Sequence, residues 1–417
     1  MRPWYKNLDW ISLLLWAGLV AIGLTAIYSA THGPAREFLL DSVQQNFDRQ
    51  LQFFGVSAVA MIVILLMPAR LIVKLAPVAY VFCLGLLGAA LAFGREVNGA
   101  KSWLYIGPVG LQVAEIAKVG TVLAVTALLS RKEARRGSVP YVLGAILLIL
   151  IPVVLVVMQN DTGTGLVFLA LIPVMMFWSG AVPLPWMALG GAAAVAVYLV
   201  IVNPLYAAIF VAVATVGMLV WTRSRGMAAL MFVAVGLIAT AAWFGLFKVL
   251  EPHQIDRLVA FDDPEAYRYG AGFHVIQSKA AIGSGGILGK GFTNGTQTQL
   301  AYIPENSTDF IFCVIGEEFG FLGTMTVLLL FGFLILRLAS LGIQAGFALP
   351  RLFIAGVTGI FLVHILINVG MTVGLMPVIG IPLPFISYGG SALLANSAML
   401  AIALNLHAKR DDFAVYG

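Results

Sequence analysis

Gln112, Glu115 and Lys118 stand at i, i+3 and i+6 of the stretch "GPVGLQVAEIAK", on one face of a helix. A carboxylate and an ammonium so placed serve a polar reaction or neutralise each other as a structural ion pair. The stretch "MQNDTGTG" adds Asp161 beside Thr162, where a carboxylate contributes chemistry or caps a helix. In "PENSTDFIFCVIGEEFG", Thr308 and Asp309 start a helix, a place suited to capping as well as to catalysis. Glu317 and Glu318 follow about two turns later, and two carboxylates in an apolar run need a cavity, a cation or protonation. His364 and Asn368, one turn apart in "FLVHILINVGM", fit an interhelical hydrogen bond. Together these groups suggest a polar cavity opening at one membrane surface.

Composition defines what must position them. Of 417 residues, 61% are hydrophobic and only 10% charged, far below the roughly 25% charge of soluble domains. The expected class is an all-α polytopic membrane protein, a single integral membrane domain over residues 1–417. The first apolar stretch, "LDWISLLLWAGLVAIGLTAIYS", exceeds the about 7–15 apolar residues of a cleavable signal and reads as an uncleaved helix. Cys83 and Cys313 lie in apolar runs and suggest neither a disulfide framework nor a metal motif. The net charge of +5 is dealt out over short connections, with no basic patch for nucleic acid.

Ten to twelve spans are expected, near 10–30, 53–68, 71–94, 110–130, 139–158, 163–180, 184–202, 204–221, 227–249, 309–338, 350–373 and 388–407. Lys6, Arg70, Lys74, Arg131, Lys132, Arg223, Arg225, Arg337, Arg351, Lys409 and Arg410 then fall on one side, which places both termini in the cytoplasm. The largest external segment is 250–308. Its pattern "FHVIQSKAAIG" reads as a short interfacial helix, with Lys279 and Lys290 beside glycines. Such a run holds an anion on its backbone N–H groups or is simply a flexible loop. Near the end, Pro382 and Pro384 break the helix in "PLPFISYGGS". Ser387, Tyr388 and Gly389 then form an outward loop that leaves N–H groups open to an anion at the start of the last span.

"NGAKSWLYIGPVGLQVAEIAK", "QNDTGTG", "IQSKAAIGSGGILGKGFTNGTQTQLAYIPENSTDFIFCVIGEEFGFLG" and "GMTVGLMPVIGIPLPFISYGGSALLANSAMLAI" occur in this order. They resemble the SEDS family (shape, elongation, division and sporulation), polytopic peptidoglycan glycosyltransferases, over nearly the whole chain. "GKGFTNGTQTQ" and "GMTVGLMPVIGIPLPF" are most similar to the elongation, RodA-like branch. The resemblance implies polymerisation of lipid II during cell elongation. The acceptor's 4-hydroxyl attacks C1 of the donor strand, and undecaprenyl pyrophosphate leaves with inversion. It implies substrate binding by Gln112, Glu115, Lys118, Asp161, Lys279, Lys290, Thr308, Asp309, Ser387, Tyr388 and Gly389, with Mg or Mn, or the lysines, assisting the pyrophosphate. It further implies a bacterial cytoplasmic membrane location. The implied partners are a class B penicillin-binding protein and other elongation proteins, and no nucleic acid.

The chain also departs from the family pattern. Between Arg257 and Gly270 the family carries its base, an Asp, at the position of Tyr267; a phenol, with an ordinary pKa of about 10, is a poor base. Asp263 and then Glu265 are the replacement candidates. Ser307 stands where His is usual before "TDF", and Lys101 stands for Arg ahead of Trp103, losing a bidentate fork. The family has about ten spans, so 181–226 reads as an extra helix pair. Two other functions stay open: a flippase for lipid-linked oligosaccharide, and a non-catalytic scaffold of the elongation machinery, which the tyrosine favours. Retention of the cavity's polar groups favours the enzyme.

Overall fold

The computed structural model describes the chain except residues 1–3, 34–39, 98, 108, 136, 250–260, 262–266, 268–270, 300–304 and 417. Capping and proline residues set the helix starts. Asp9 caps α1 (Trp10–His32), its Oδ2 accepting Ser12 N at 3.0 Å. The chain continues through α2 (Asn46–Leu66), α3 (Ala69–Phe93), α4 (Val113–Leu129), α5 (Val139–Met158) and α6 (Thr162–Ser179). α7 (Leu184–Val202) and α8 (Pro204–Thr222) follow, with Pro204 at the first turn of α8. α9 (Arg225–Leu230) passes through a π turn at Met231–Val235 into α10 (Gly236–Val249). After the short α11 (Ala271–Ser284) and α12 (Thr296–Gln299) come α13 (Ile311–Gln344), α14 (Ala348–Thr372) and α15 (Gly390–Ala408).

Among the described residues, ten helices are long and apolar enough to cross a membrane, which makes this a multi-pass membrane protein. The two remaining expected spans correspond to α4, of 17 residues, and to the shorter apolar helix Leu184–Val200. Burial separates centre from rim. In α15, 89% of the spanning window is buried and in α14 78%, against 17% in α8, so α14 and α15 form the core and α8 is peripheral. The expected extra pair, α7 and α8, packs through Ala196, Val200, Ala207 and Val211 against Met231 and Val235, a cluster apart from the main core.

Two features were not expected. The connection between the spans expected at 71–94 and 110–130, together with the first residues of the second, carries an antiparallel sheet of β1 (Arg95–Val97), β2 (Ala100–Ile106) and β3 (Val109–Gln112), in which Trp103 pairs with Gln112. The helix α13 is broken at Gly320, whose φ of 64° admits glycine readily. A Cβ there would stand 2.4 Å from Gly289 N, so the break lets the 285–291 loop pack against the helix.

Candidate active site

Two adjoining sets of hydrogen-bonded polar groups lie here, one joining α2 to the segments preceding α13 and α15 and one joining the starts of α4, α6 and α15. Asn46 and Gln50 occupy one face of the first turns of α2. Gln50, 1% exposed, donates from Nε2 to Ser387 O at 3.3 Å and accepts from Gly389 N at 3.1 Å. Asn46 Nδ2 donates to Ser307 Oγ at 3.2 Å, and Ser307 O accepts Tyr388 N at 2.9 Å. Ser387 Oγ donates to Thr308 O at 2.6 Å and accepts Leu383 N at 2.8 Å. Thr308, Ser387, Tyr388 and Gly389 are therefore brought together. The expectation of open N–H groups is corrected at Tyr388 and Gly389, whose N–H groups are taken by Ser307 and Gln50. Burial raises the Tyr388 phenol above its ordinary pKa, and a hydrogen bond from Arg49 opposes this.

Beside this cluster, Gln112 N donates to Ser391 Oγ at 3.2 Å and Gln112 Nε2 to Asp161 Oδ2 at 3.1 Å. Asp161 also caps α6, its Oδ1 accepting Thr164 N at 3.0 Å. One carboxylate thus fixes a helix start and orients an amide.

Deeper along α4, Glu115 and Lys118 form the ion pair their spacing allows, at 2.7 Å, with side chains 1% and 0% exposed. Lys118 Nζ also lies 2.7 Å from His364 Nε2, and His364 Nδ1 faces Pro382 O at 3.0 Å. A carbonyl only accepts, so we assign the imidazole proton to Nδ1, leaving Nε2 to accept from the ammonium. One turn away, Asn368 Nδ2 donates to Asp309 O and Ile381 O, both at 2.8 Å. The expected interhelical hydrogen bond is present at His364, which meets Lys118 of α4, and His364 and Asn368 together also clamp the 381–382 segment and Asp309. Gly380, with φ of 78°, lies so close that a Cβ would be 3.2 Å from Asp309 Oδ2.

Lys290 lies outside these networks. Its Nζ is 2.7 Å from Glu317 Oε1, and that carboxylate, 0% exposed, also accepts Thr296 N, Gln297 N and Thr298 N at 2.8–2.9 Å. The glycine-rich loop does bind an anion, but the anion is the chain's own Glu317. Glu318 accepts Ser29 Oγ at 2.5 Å and Gln299 Nε2 at 2.9 Å. Lys279 sits exposed on α11, its methylenes against Gly374. Asp263, Glu265 and Arg257 lie outside the described residues; Tyr267 is half-exposed, and its carbonyl accepts Gly272 N at 3.2 Å. Among the described residues no three His, Cys, Asp or Glu side chains gather as metal ligands. They offer no all-protein cage for Mg or Mn.

Sequence reading missed Asn46, Gln50 and Ser391. Two amides at i and i+4 ahead of the apolar run "FFGVSAVAMIVILL" were the available signal. The arrangement supplies amides and hydroxyls suited to sugar hydroxyls, flanked by the carboxylates Asp161 and Asp309.

The profile of the FtsW/RodA/SpoVE family of cell cycle proteins matches residues 9–192 and 184–412. The peptidoglycan glycosyltransferase MrdB of Escherichia coli K12 is 35% identical over 363 residues, covering 87% of this chain and 86% of that protein. The peptidoglycan glycosyltransferase RodA of Treponema pallidum is 30% identical, covering 97% and 98%. A solved peptidoglycan synthase complex, described as coordinating polymerization and crosslinking, aligns with a TM-score of 0.72 at 28% identity, over 97% of this chain and 98% of that one. The Thermus thermophilus rod shape determining protein RodA aligns with a TM-score of 0.63 at 26% identity, over 97% of both chains. With agreement that runs almost from end to end in sequence and in fold, this chain belongs to the FtsW/RodA/SpoVE family.

Proposed function

We propose that the chain is a peptidoglycan glycosyltransferase that polymerises lipid II during cell elongation. It works in the bacterial cytoplasmic membrane, with both termini cytoplasmic. The observation that carries this reading is two adjoining hydrogen-bonded groups, Gln50 with Ser387, Gly389 and, through Ser387, Thr308, and Gln112 with Asp161 and Ser391, which bring segments far apart in sequence around one polar surface. Membership of a family whose relatives are named for this activity supports it. Leu24, Thr25, Tyr28, Phe47 and Phe292 line an apolar groove next to Asn46, a surface suited to a polyprenyl tail. The partner is a class B penicillin-binding protein, as the match to a polymerizing and crosslinking complex suggests.

In the reaction, a carboxylate accepts the proton of the attacking hydroxyl, and Asp263, with Glu265 second, is our candidate. The test is polymerisation of fluorescent lipid II by purified protein and its cognate partner, with Mg²⁺, with Mn²⁺ or with EDTA. Wild type is compared with Asp263→Asn, Glu265→Gln and Tyr267→Asp. Glycan strands lost in one carboxylate variant identify the base, and loss in EDTA identifies a metal requirement. Tyr267 favours the second reading, a non-catalytic scaffold. That reading holds if wild type makes no polymer while Tyr267→Asp does.

A further inference from the structure

Among the described residues, two buried acceptor oxygens at the contact of α4 and α14 have no donor. Glu115 is 1% exposed and Asn368 0%. Lys118 donates to Oε1 of Glu115, whereas Oε2 receives no hydrogen bond among the described residues. Asn368 commits its amide to two carbonyls, Asp309 O and Ile381 O. Both partners are acceptors, so the amide cannot be turned over, and its Oδ1 is fixed as an acceptor that also receives nothing.

These oxygens belong to one interface at one depth. The contact of Lys118 Nζ with His364 Nε2 at 2.7 Å joins the faces of the two antiparallel helices. From that contact toward the end that carries Ser387, Glu115 lies three residues along α4 and Asn368 four residues along α14. At about 1.5 Å per residue, those steps are about 4.5 and 6 Å, so the two side chains stand at nearly the same level. Two acceptors cannot satisfy each other. Buried polar groups are matched as a rule, and ordered water with two or more polar partners is the usual complement where the protein supplies none.

We propose that one ordered water molecule sits between Glu115 Oε2 and Asn368 Oδ1 and donates a hydrogen to each. A sodium ion would meet the same oxygens, but also the Lys118 ammonium held by the same carboxylate, which repels it. A proton on Glu115 would strip the fully buried Lys118 of its counter-charge. The water completes a column in which the Glu115–Lys118 pair is tied to the Asn368 clamp, and through it to Asp309 and Ile381. The inference does not depend on the reaction the chain performs.

The test is a structure of the full-length wild-type protein at about 2 Å or better, determined in sodium buffer and again with choline replacing sodium. The expected result is a solvent peak within about 2.6–3.2 Å of both oxygens, present in both buffers. A peak that vanishes without sodium shows a cation and overturns the proposal. Direct contact of Glu115 Oε2 with Asn368 Oδ1 shows a shared proton and overturns it equally. Featureless density between two separated oxygens overturns it as well.

Discussion

Lys290 Nζ lies 2.7 Å from Glu317 Oε1, and the same carboxylate receives the backbone N–H groups of Thr296, Gln297 and Thr298. The loop is thus closed over an internal anion, and the lysine neutralises it. Removing one partner of a buried pair is worse than removing both, because the survivor keeps an uncompensated charge. Lys290→Met, which leaves the fully buried Glu317 without its counter-charge, is expected to lose about 3–5 kcal/mol of stability, and Lys290→Met together with Glu317→Gln to recover part of it. Thermal unfolding in detergent, with chymotryptic cleavage after Phe292 as a local readout, checks this. A double variant no better than the single one would show that the charge pair is not what holds the loop.

Gly18 and Gly23 lie in the same helix with opposite surroundings. A Cβ at Gly23 would come within 2.7 Å of Ile386 Cα and O, whereas one at Gly18 meets nothing within 4 Å. Backbone cannot yield as a flexible side chain can. Gly23→Ala is expected to push α1 off the 385–387 segment, costing about 1–3 kcal/mol and disturbing Ser387. Gly18→Ala is expected to be neutral or to stabilise by up to about 1 kcal/mol through helix propensity. Equal melting temperatures for the two variants would contradict this packing.

Local rules made part of this architecture legible. Spans followed from hydropathy, the Glu115–Lys118 pair from its i, i+3 spacing, and the cap at Asp161 from a polar residue ahead of an apolar run. The helix Ala271–Ser284 followed from the amphiphilic pattern around Phe273. Contacts between distant segments were not legible. Gln50 and Gly389 are 339 residues apart, and Lys290 reaches Glu317 only because α13 breaks at Gly320. No periodicity encodes such meetings. The sheet had a usable signal, since an Asn98-Gly99 pair is a hairpin-turn dipeptide and "SWLYI" follows it closely. The apolar composition around it drew the reading toward helices and plain loops instead.

Gln50 tests the proposed site most directly among the residues sequence reading missed. Its amide bridges Ser387 O and Gly389 N, and alanine leaves both buried without a partner. The loss is about 1–3 kcal/mol. Gln50→Ala is therefore expected to lower lipid II polymerisation by about fivefold to about a hundredfold, since each 1.4 kcal/mol of misplacement corresponds to about tenfold. Gln50→Glu, which retains the acceptor for Gly389 N but not the donor to Ser387 O, should fall between. Unchanged polymerisation in Gln50→Ala would remove this cluster from the active site.

At the opposite end of α1, Asp9 gives a pH signature. Its Oδ1 accepts Arg337 Nε at 2.9 Å and a second guanidinium nitrogen at 2.5 Å, while Oδ2 accepts from Ser12. Burial pushes this carboxyl upward, but the hydrogen bonds from Arg337 and Ser12 outweigh it, so its pKa lies below the ordinary 3.8. A carboxyl with a depressed folded pKa contributes stability that is present above its unfolded pKa and lost as pH falls through the folded one. The Arg337 side chain is 36% exposed, so solvent screening limits the pair to about 1 kcal/mol. Asp9→Asn keeps a capping side chain but removes the charge. It is expected to melt below wild type at pH 7 by a margin that holds down to about pH 4 and shrinks below it. Melting curves of both proteins between pH 3 and 7 check this, and a margin that does not change with pH would mean that the ionised pair contributes nothing.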